Sequence, residues 1–540
     1  MKRIVAAAIL VVAATALAAC TPGSAASGPP HREGSLVTAV VPLPASQKTD
    51  ASAPAFSLDA TSTIRAHATD AEATAKLAVQ LLGTATGLKL ATGTGEGGAH
   101  DVVLKIVAGG PAESYTLRTG ARGATVTGAD EAGLFYGVQT LVQLLHDRDG
   151  QWEAAATDIA DHPRFAYRGA MLDIARHFFP VDVVKHYIDG AASLKLNILH
   201  LHLTDDQGWR IQIDSRPKLT ELASTTSMSG DPGGFYTEAD YAEIVAYAAS
   251  RHMTVVPEID LPGHTHAIGL AYPEIAEPPV VLPEIVQWKQ EIPVEGKPYT
   301  GFGVGFSSLK IHDEATYAFV EDVVRELAAM TPGPYLHIGG DEPHAVAPAD
   351  YAEFMSRVTK IVAATGKTPI AWHEAGASPD LAHGTIGQYW NYLVPQADNA
   401  AKTLEFAKNG GKVIMSPADV AYLDMKYDDS TTLGLTWADG PTSVQRSYEW
   451  EPTKIVDGLS PDAILGVEAP LWSETLRTSG DIDSMAFPRL ASAAEVAWSP
   501  ETAAGRGWDP FRARVAQLGP LWTREGIHYD ASPEIAWITK

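Results

Sequence analysis

The sequence predicts an α/β protein in which a parallel (β/α)8 barrel follows a smaller α/β domain. From residue 161 onward, eight short apolar segments have the length of buried strands, and helical segments lie between most of them. Acidic and aromatic residues cluster just after these segments, at the face where such barrels carry their chemistry. We therefore assign residues 36–160 to the small domain and residues 161–540 to the barrel.

The predicted barrel elements are read from their periodicity. The strands are 169–174, 198–203, 254–259, 335–338, 369–372, 385–389, 412–415 and 464–467, and the clearest helices are 181–194, 239–250, 315–330 and 350–365. The stretch 267–306 is rich in Pro and Gly and has little periodicity. We interpret it as a long loop on the catalytic face.

The preceding segment also mixes helices and strands. Helices are predicted at 71–82 and 133–145, and strands at 102–107, 115–118 and 124–127. The second helix is amphipathic, because its large apolar residues recur at helical spacing. This stretch is long enough for one small domain.

The N-terminus has the pattern of a secretion signal. Lys2 and Arg3 precede an apolar run over 4–17, and the run ends in Leu-Ala-Ala-Cys at 17–20, which looks like a bacterial lipobox. Residues 21–35 are rich in Pro, Gly, Ser and Ala and are predicted to be a flexible tether. We expect acylation of Cys20 and a lipoprotein held at the cell envelope, on its outer face or in the periplasm.

Composition limits the function further. The 540 residues are 45% hydrophobic and 19% charged, which is typical of a globular protein with large cores. The formal net charge of −25 argues against nucleic-acid partners, because little here could neutralise phosphates. Cys20 is the only cysteine, so the mature fold has neither disulfides nor cysteine metal ligands.

Two adjacent acids, Asp341 and Glu342, follow two glycines at the end of a predicted strand. Carboxylates this close do not ionise independently, so one can donate a proton while the other stays anionic. Such a pair of carboxylates is typical of the active site of a glycosidase or of a metal site built from carboxylates. Adjacent strand residues face opposite sides, so both acids can face one pocket only beyond the last ladder hydrogen bond. Gly339 and Gly340 permit the necessary turn.

Similar polar clusters follow the other predicted strands. They comprise Asp173 and Arg176, Asp205 and Asp206, Glu258, Asp260 and His264, His373 and Glu374, Trp390, and finally Glu468, Trp472 and Glu474. A single acid after a strand is most often only solvated. Repetition at one end of successive strands indicates one shared site.

His200 and His202 alternate on one strand and therefore point to the same side. Such a pair is a familiar metal-ligand arrangement, and Asp205, His264 and Asp341 could complete a divalent site. Barrel interiors also hold histidines that are satisfied by neighbouring side chains. Both interpretations stay open, and we favour the one without a metal.

Four tryptophans, Trp372, Trp390, Trp437 and Trp472, lie at or beyond predicted strand ends. Any one of them could be a core aromatic residue. Flat indoles also stack on the apolar faces of sugar rings, while acids and arginine bind the hydroxyl groups. Four indoles near one face among carboxylates favour a carbohydrate pocket.

With these residues in place, the chain resembles the β-N-acetylhexosaminidases of glycoside hydrolase family 20. The matching motifs are YRGAMLDIARHF at 167–178, HLHLTDDQGWR at 200–210, PEIDLPGH at 257–264, GGDE at 339–342, QYW at 388–390, YLD at 422–424 and WSE at 472–474. They are long and ordered along the chain, and the resemblance spans about residues 133–498. The resemblance implies the small α/β domain before the barrel as well.

The resemblance implies substrate-assisted hydrolysis. The 2-acetamido oxygen of the substrate attacks the anomeric carbon and forms an oxazolinium ion, so the anomeric configuration is retained. Glu342 would protonate the leaving oxygen and later activate water. Asp341 would hold the acetamido N–H, and Tyr422 would bind the acetamido oxygen.

The resemblance also implies the surrounding site. Arg168, Glu474 and Asp424 would bind sugar hydroxyls, and Asp205 with His264 would form a relay behind Glu342. Asp206 is an equally close alternative to Asp205 in the sequence. A larger aromatic set completes the pocket: Trp372, Trp390 and Trp472 as walls around the acetamido group, with Trp437 nearer the aglycone.

We therefore predict an exo-acting enzyme that needs no metal or organic cofactor. Its substrates would be oligosaccharides or glycoconjugates with terminal N-acetylhexosamine, for example chitin fragments. Whether GlcNAc or GalNAc is preferred stays open. Three alternatives remain: a lacto-N-biosidase that releases a disaccharide through a pocket extended by 267–306, a metal-dependent barrel hydrolase using His200 and His202, and a non-catalytic carbohydrate-binding lipoprotein. The intact Asp341–Glu342 pair counts against the last of these.

Overall fold

The computed structural model describes residues 39–538, which belong to one compact unit. The predicted signal, Cys20 and the tether at 21–35 lie outside these residues. Within 39–538, no helix combines the length and the hydrophobicity needed to cross a bilayer.

The first part of the chain forms a mixed seven-stranded sheet and a small three-stranded sheet. Its strands are β1 (Ser46–Asp50), β2 (Phe56–Leu58), β3 (Thr63–Ala66), β4 (Ala91–Thr94), β5 (Val102–Ile106), β6 (Tyr115–Gly120), β7 (Gly123–Gly128), β8 (His146–Arg148), β9 (Gln151–Ala154) and β10 (Ala156–Asp161). The order in the large sheet is β1-β10-β6-β7-β5-β3-β4, and β2, β9 and β8 form the small one. The predicted α/β character is confirmed.

Two helices, α1 (Glu72–Thr86) and α2 (Glu131–Leu144), accompany this sheet, as predicted. Asp130 caps the start of helix α2, and its side chain accepts a hydrogen bond from the Gly133 backbone N–H. The helix packs closely on the sheet, because a Cβ added at Gly137 would lie 2.3 Å from Val126 Cγ1. Its apolar face is consequently removed from water.

The rest of the chain contains the closed parallel barrel. Its strands, in barrel order, are β11 (Tyr167–Asp173), β12 (Ile198–His202), β15 (Thr254–Glu258), β16 (Tyr335–His337), β17 (Thr368–Trp372), β18 (Ile386–Tyr389), β19 (Val413–Met415) and β20 (Ile464–Ala469). Strand β20 pairs with β11 and closes the ring. All eight predicted strands are confirmed, and their bounds agree with the prediction within two residues.

Helices surround the barrel or cap its ends. They are α3 (Val181–Ser193), α4 (Lys218–Leu222), α5 (Glu238–Ser250), α6 (His266–Ala271), α7 (Pro283–Gln287), α8 (Glu314–Met330), α9 (Pro348–Ala364), α10 (Asn399–Lys408), α11 (Ala418–Ala421), α12 (Val444–Tyr448), α13 (Ser479–Ala486), α14 (Arg489–Trp498), α15 (Trp508–Val515) and α16 (Gly519–Arg524). The four helices named from periodicity correspond to α3, α5, α8 and α9.

Two short strands and a long loop complete the carboxyl end of the barrel. Strands β13 (Thr204–Asp205) and β14 (Gly208–Trp209) form a small hairpin after β12. The stretch 267–306 is mostly loop and contains most of α6 and all of α7. A Cβ added at Gly305 would lie 3.0 Å from the Glu342 carbonyl oxygen, so the loop reaches the catalytic face as predicted.

Candidate active site

The carboxyl ends of the barrel strands gather the predicted polar residues. Strand β11 leads to Asp173 and Arg176, β12 to Asp205, β15 to Asp260 and His264, β16 to Asp341 and Glu342, β17 to Glu374, β19 to Tyr422 and Asp424, and β20 to Trp472 and Glu474. Parallel strands end at the same edge, so residues far apart in sequence meet around one opening.

Asp341 and Glu342 lie beyond the strand geometry of β16. The ladder of hydrogen bonds between β16 and β17 extends to Gly339, whose carbonyl accepts a hydrogen bond from Trp372 N. The chain then turns, with φ values of 65° at Gly339, 105° at Gly340 and 46° at Glu342. This confirms the prediction that both acids follow the last ladder hydrogen bond.

The turn brings both carboxylates to one imidazole. His264 Nε2 lies 3.6 Å from Asp341 Oδ2 and 3.4 Å from Glu342 Oε2. Burial raises the pKa of Asp341 to about 6; the charge of His264 opposes this rise, while Glu342 and Glu374 add to it. Asp341 therefore binds its proton more tightly than an exposed aspartate does.

Asp205, and not Asp206, supports His264. His264 Nδ1 lies 3.1 Å from Asp205 Oδ1 but 3.9 Å from Asp206 Oδ2. Asp206 Oδ1 instead accepts hydrogen bonds from the His266 N–H and the Ser307 hydroxyl. The sequence could not decide which of the two acids supports His264, and these contacts decide it.

The charges in this relay reinforce one another. Burial alone would raise the pKa of Asp205, but Arg176 and His264 outweigh it and hold that pKa well below its usual range. Asp205 and Asp341 in turn hold the pKa of His264 well above its usual range despite burial. His264 is therefore an imidazolium between Asp205 and the two acids.

Aromatic side chains wall the opening. Trp372, Trp472 and Tyr422 belong to one buried cluster, in which the Trp472 ring centroid lies 6.1 Å from each of the other two. Trp390 contacts Trp437 edge to face with centroids 6.0 Å apart. The Trp437 side chain is 44% exposed, so it lies at the rim. The structure thus brings all four predicted tryptophans together.

Several buried carboxylate oxygens have no hydrogen-bond partner within residues 39–538. Among them are both oxygens of Asp424, Glu474 Oε2 and Asp341 Oδ1. Burial raises the pKa of Glu474 to about 7, with Arg176 opposing and Asp173 adding. Burial and the charge of Glu474 hold the pKa of Asp424 well above its usual range. Unpaired buried acceptors are costly, so these oxygens are suited to receive donors from a ligand.

The assignment of Arg168 to the sugar site was wrong. Arg168 is fully buried at the amino end of β11, where its guanidinium donates to Glu113, Tyr136 and the Phe165 carbonyl. These partners tie the barrel to the preceding domain. They lie at the end of β11 opposite to the carboxyl-end site.

Arg176 occupies the position that Arg168 was expected to take. Its Nη2 lies 2.8 Å from Asp205 Oδ2, and its guanidinium carbon lies 4.7 Å from the Trp472 ring centroid. The distinguishing signal was available in the sequence, because Arg176 follows the end of the predicted strand whereas Arg168 precedes its start. Glu374, which the sequence placed among the polar clusters without assigning it a role, accepts a hydrogen bond from Trp390 Nε1 at 3.0 Å with its carboxylate.

His200 and His202 share one side of β12, as predicted, but lie between carboxylates. His200 lies between Glu468 and Glu258, and His202 lies between Glu258 and Asp205. Burial opposes their protonation, but the neighbouring acids raise the pKa of His200 to about 10 and that of His202 to about 9. Neighbouring carboxylates therefore satisfy both rings, as in the second of the two interpretations that the sequence left open.

Comparison with known proteins agrees with this geometry. Residues 165–347 and 344–501 match the catalytic domain of glycosyl hydrolase family 20, and residues 37–162 match domain 2 of the same family. The chain belongs to glycosyl hydrolase family 20. The family resemblance read from the motifs is thereby confirmed.

Relatives of this family 20 enzyme carry names of one activity. The chain is 42% identical over 508 residues to a beta-N-acetylhexosaminidase of Cellulomonas fimi, covering 92% of this chain and 97% of the relative. The structure is similar to that of a family 20 beta-N-acetylglucosaminidase, with a TM-score of 0.87, 56% identity, and coverage of 93% and 100% of the two chains.

A third comparison concerns a solved complex. A mutant Streptomyces plicatus beta-hexosaminidase in complex with the product GlcNAc superposes with a TM-score of 0.85 and 45% identity, covering 94% of this chain and 99% of that one. This family 20 enzyme is a β-N-acetylhexosaminidase, with the retaining, substrate-assisted mechanism typical of the family.

Proposed function

We propose that this family 20 enzyme removes terminal GlcNAc from β-linked oligosaccharides, with Glu342 as general acid and base and Asp341 as the partner of the acetamide. One observation carries the assignment: an oxygen of each carboxylate lies within 3.6 Å of the same atom, Nε2 of His264, and the two oxygens lie within 4.8 Å of each other. Two carboxylates that flank a glycosidic bond from opposite faces would be about 5 Å or more apart. Here the second acid is better placed to steady a substrate group than to attack the anomeric carbon.

The acetamido oxygen of the substrate acts as nucleophile. Its attack is intramolecular, so the effective concentration is very high. Asp341 accepts the acetamido N–H and stabilises the positive charge that grows on that nitrogen. In the described part of the chain, buried Asp341 Oδ1 has no hydrogen-bond partner, which leaves it available for this donor. Tyr422, buried against Trp472, orients the acetamido oxygen.

Glu342 supplies and then recovers the proton. In the first step it protonates the departing glycosidic oxygen, and in the second it accepts a proton from the incoming water. Its side chain is less buried than that of Asp341, as access to the leaving group and to water requires. The imidazolium of His264 holds the carboxylate formed between the two steps.

Arg176, Asp424 and Glu474 bind the hydroxyls of the terminal sugar. Asp424 and Glu474 offer buried oxygens without partners, and Arg176 offers a fixed guanidinium beside Trp472. A hydroxyl placed between an acceptor and a guanidinium satisfies both. The solved complex with GlcNAc supports GlcNAc as the sugar that this pocket accepts.

The general-acid role is tested with Glu342→Gln. We expect kcat/KM to fall about 10²–10⁴-fold on GlcNAc glycosides with a poor leaving group, and far less on 2,4-dinitrophenyl GlcNAc, whose leaving group needs no proton. Glu374→Gln is the matched control and should affect both substrates equally, because Glu374 binds Trp390. Equal losses on both substrates in Glu342→Gln would refute the assignment.

We also propose that the enzyme is anchored to the cell envelope through Cys20. The basic start, the apolar run and the lone cysteine after small residues support this. Cys20→Ala should move the enzyme from the membrane fraction to the soluble fraction without changing its specific activity. Cys20→Ala protein that stays in the membrane fraction would disprove lipid anchoring.

A further inference from the structure

A continuous line of alternating acids and imidazoles runs through the barrel interior to the catalytic acid. It begins at Glu468, passes through His200, Glu258, His202, Asp205 and His264, and ends at Glu342. Successive members are 2.6 to 3.4 Å apart. The side chains before Glu342 are at most 1% exposed, so their interactions are little weakened by water.

Glu258 is the branching point of this line. Its Oε2 lies 2.6 Å from His202 Nδ1 and 3.0 Å from His200 Nε2, both on β12. Its Oε1 accepts a hydrogen bond from Trp372 Nε1 on β17 at 2.9 Å and lies 3.0 Å from His337 Nδ1 on β16. One carboxylate therefore contacts both the relay behind the acid and the indole that walls the acetamide pocket.

The charges along the line alternate. Burial alone would raise the pKa of Glu258, but His337, His202 and His200 hold it well below its usual range. His202 is held as an imidazolium by Glu258 and donates on its other side to Asp205. A neutral group in place of Glu258 would remove the main partner that fixes the charge and orientation of His202.

We propose that Glu258 is a positioning residue that couples the acetamide pocket to proton transfer by Glu342. Trp372 holds one oxygen of Glu258, and His202 requires the other. A substrate acetamide that presses Trp372 into place therefore also fixes the His202–Asp205–His264 relay. Glu258 itself touches neither the substrate nor the reacting atoms. The inference rests on the proposed role of Glu342 as the general acid.

The test is the leaving-group dependence of Glu258→Gln. On GlcNAc glycosides that need protonation, such as chitobiose, kcat/KM should fall roughly tenfold or more, because the relay behind Glu342 is disordered. On 2,4-dinitrophenyl GlcNAc the fall should be less than about threefold, because that leaving group departs without a proton. A merely structural role would lower both by the same factor.

Trp372→Phe tests the contact between Glu258 and the acetamide pocket. It keeps an aromatic wall but removes the indole N–H that Glu258 accepts. We expect a higher KM on both substrates, because the acetamide wall is altered, and in addition the leaving-group discrimination of Glu258→Gln to a smaller extent, because the link from Trp372 to Glu258 is cut. Equal losses on the two substrates would overturn the coupling. Glu342→Gln in the same panel checks the proposed function separately. If Glu342→Gln discriminates between the substrates and Glu258→Gln does not, only the coupling is overturned.

Glu468→Gln keeps the proposal testable if Glu258→Gln does not fold. Glu468 is two members beyond Glu258 on the side away from Glu342, and its carboxylate also accepts hydrogen bonds from Tyr167 and Gln388. The same leaving-group discrimination should appear, but more weakly, because the perturbation starts farther from Glu342. A loss in Glu468→Gln that is equal on both substrates would overturn the coupling.

Discussion

Two buried arginines in the first barrel strand and its loop show how position decides role. Arg168 and Arg176 are eight residues apart, and both are buried. Arg168 is surrounded by Glu113, Tyr136 and backbone carbonyls at the amino end of β11. Arg176 lies beyond the carboxyl end, beside Asp205 and Trp472. Residue type alone therefore could not separate a ligand-binding cation from a structural one.

Arg176→Lys tests the corrected role. Lysine keeps the charge but loses the planar fork that a sugar hydroxyl and Asp205 share. We expect a loss of about 1.5–3 kcal/mol in transition-state binding, roughly 10- to 160-fold in kcat/KM for aryl GlcNAc, seen partly as a raised KM. Steady-state kinetics on purified enzyme measures it.

Arg168→Lys is the matched control for that experiment. It should lower Tm, because a buried fork with several acceptors is broken, and leave kcat/KM unchanged. If Arg168→Lys raised KM and Arg176→Lys did not, the original assignment from the sequence would be right after all.

At the scale of the element, the end of β16 makes the site possible. The strand holds Tyr335–His337, and the two glycines that follow adopt backbone conformations that side-chain-bearing residues rarely take. Gly340 N donates to Asp260 Oδ1, and the Tyr351 hydroxyl donates to the Gly340 carbonyl. The turn is thus held from two sides, which fixes where Asp341 and Glu342 point.

Gly339→Ala tests this turn. The added Cβ would lie 1.7 Å from Asp260 Oδ1, so the turn or Asp260 must move. A displacement of about 1 Å at a catalytic group can lower the rate on the order of 10²-fold, and we expect a loss of that size in kcat. Kinetics with aryl GlcNAc and Tm by calorimetry measure both effects.

Gly366→Ala is the control that separates the effect of backbone strain from that of a steric clash. Gly366 also has a positive φ, 83°, but no atom lies within 4 Å of an added Cβ. We expect about 1 kcal/mol of destabilisation from the backbone alone and unchanged kcat. Similar kinetics in the two alanine variants would contradict the role of the turn.

At the scale of the whole molecule, closing the barrel concentrates acids at one end. Asp341, Asp424 and Glu474 are all buried there, and burial raises the pKa of each. Such groups bind protons more tightly in the folded than in the unfolded state. Their favourable contribution is therefore complete at low pH and is lost as pH rises through the raised pKa. The site lowers the stability of the fold at neutral pH.

Asp424→Asn tests whether the buried carboxyl groups of the site lower the stability of the fold at neutral pH. The free energy of unfolding of the variant should exceed that of the native enzyme at pH 8, and the difference should shrink toward pH 3, where the native carboxyl is protonated in the folded state and largely protonated in the unfolded state. Activity should fall, because Asp424 binds the sugar. Denaturant unfolding at several pH values measures the difference; a variant less stable than the native enzyme at pH 8 would contradict it.

Much of this molecule could be read from residue patterns, because the patterns are local. The eight strands were predicted from short apolar runs, since a buried parallel strand needs apolar residues on both faces. The glycines before Asp341 predicted a turn, since few other residues adopt its φ values. The tryptophan set and the acid pair were likewise visible as residue types at strand ends.

What only the tertiary structure decided was which atoms meet. The choice of Asp205 over Asp206 depends on a difference of 0.8 Å, from 3.1 to 3.9 Å, at His264. The partners of the two arginines, Glu113 and Tyr136 for Arg168 but Asp205 for Arg176, likewise come from other parts of the chain. The link through Glu258 joins β12, β16 and β17. Local sequence determines backbone conformation and burial, whereas contacts between distant segments arise only when the barrel closes.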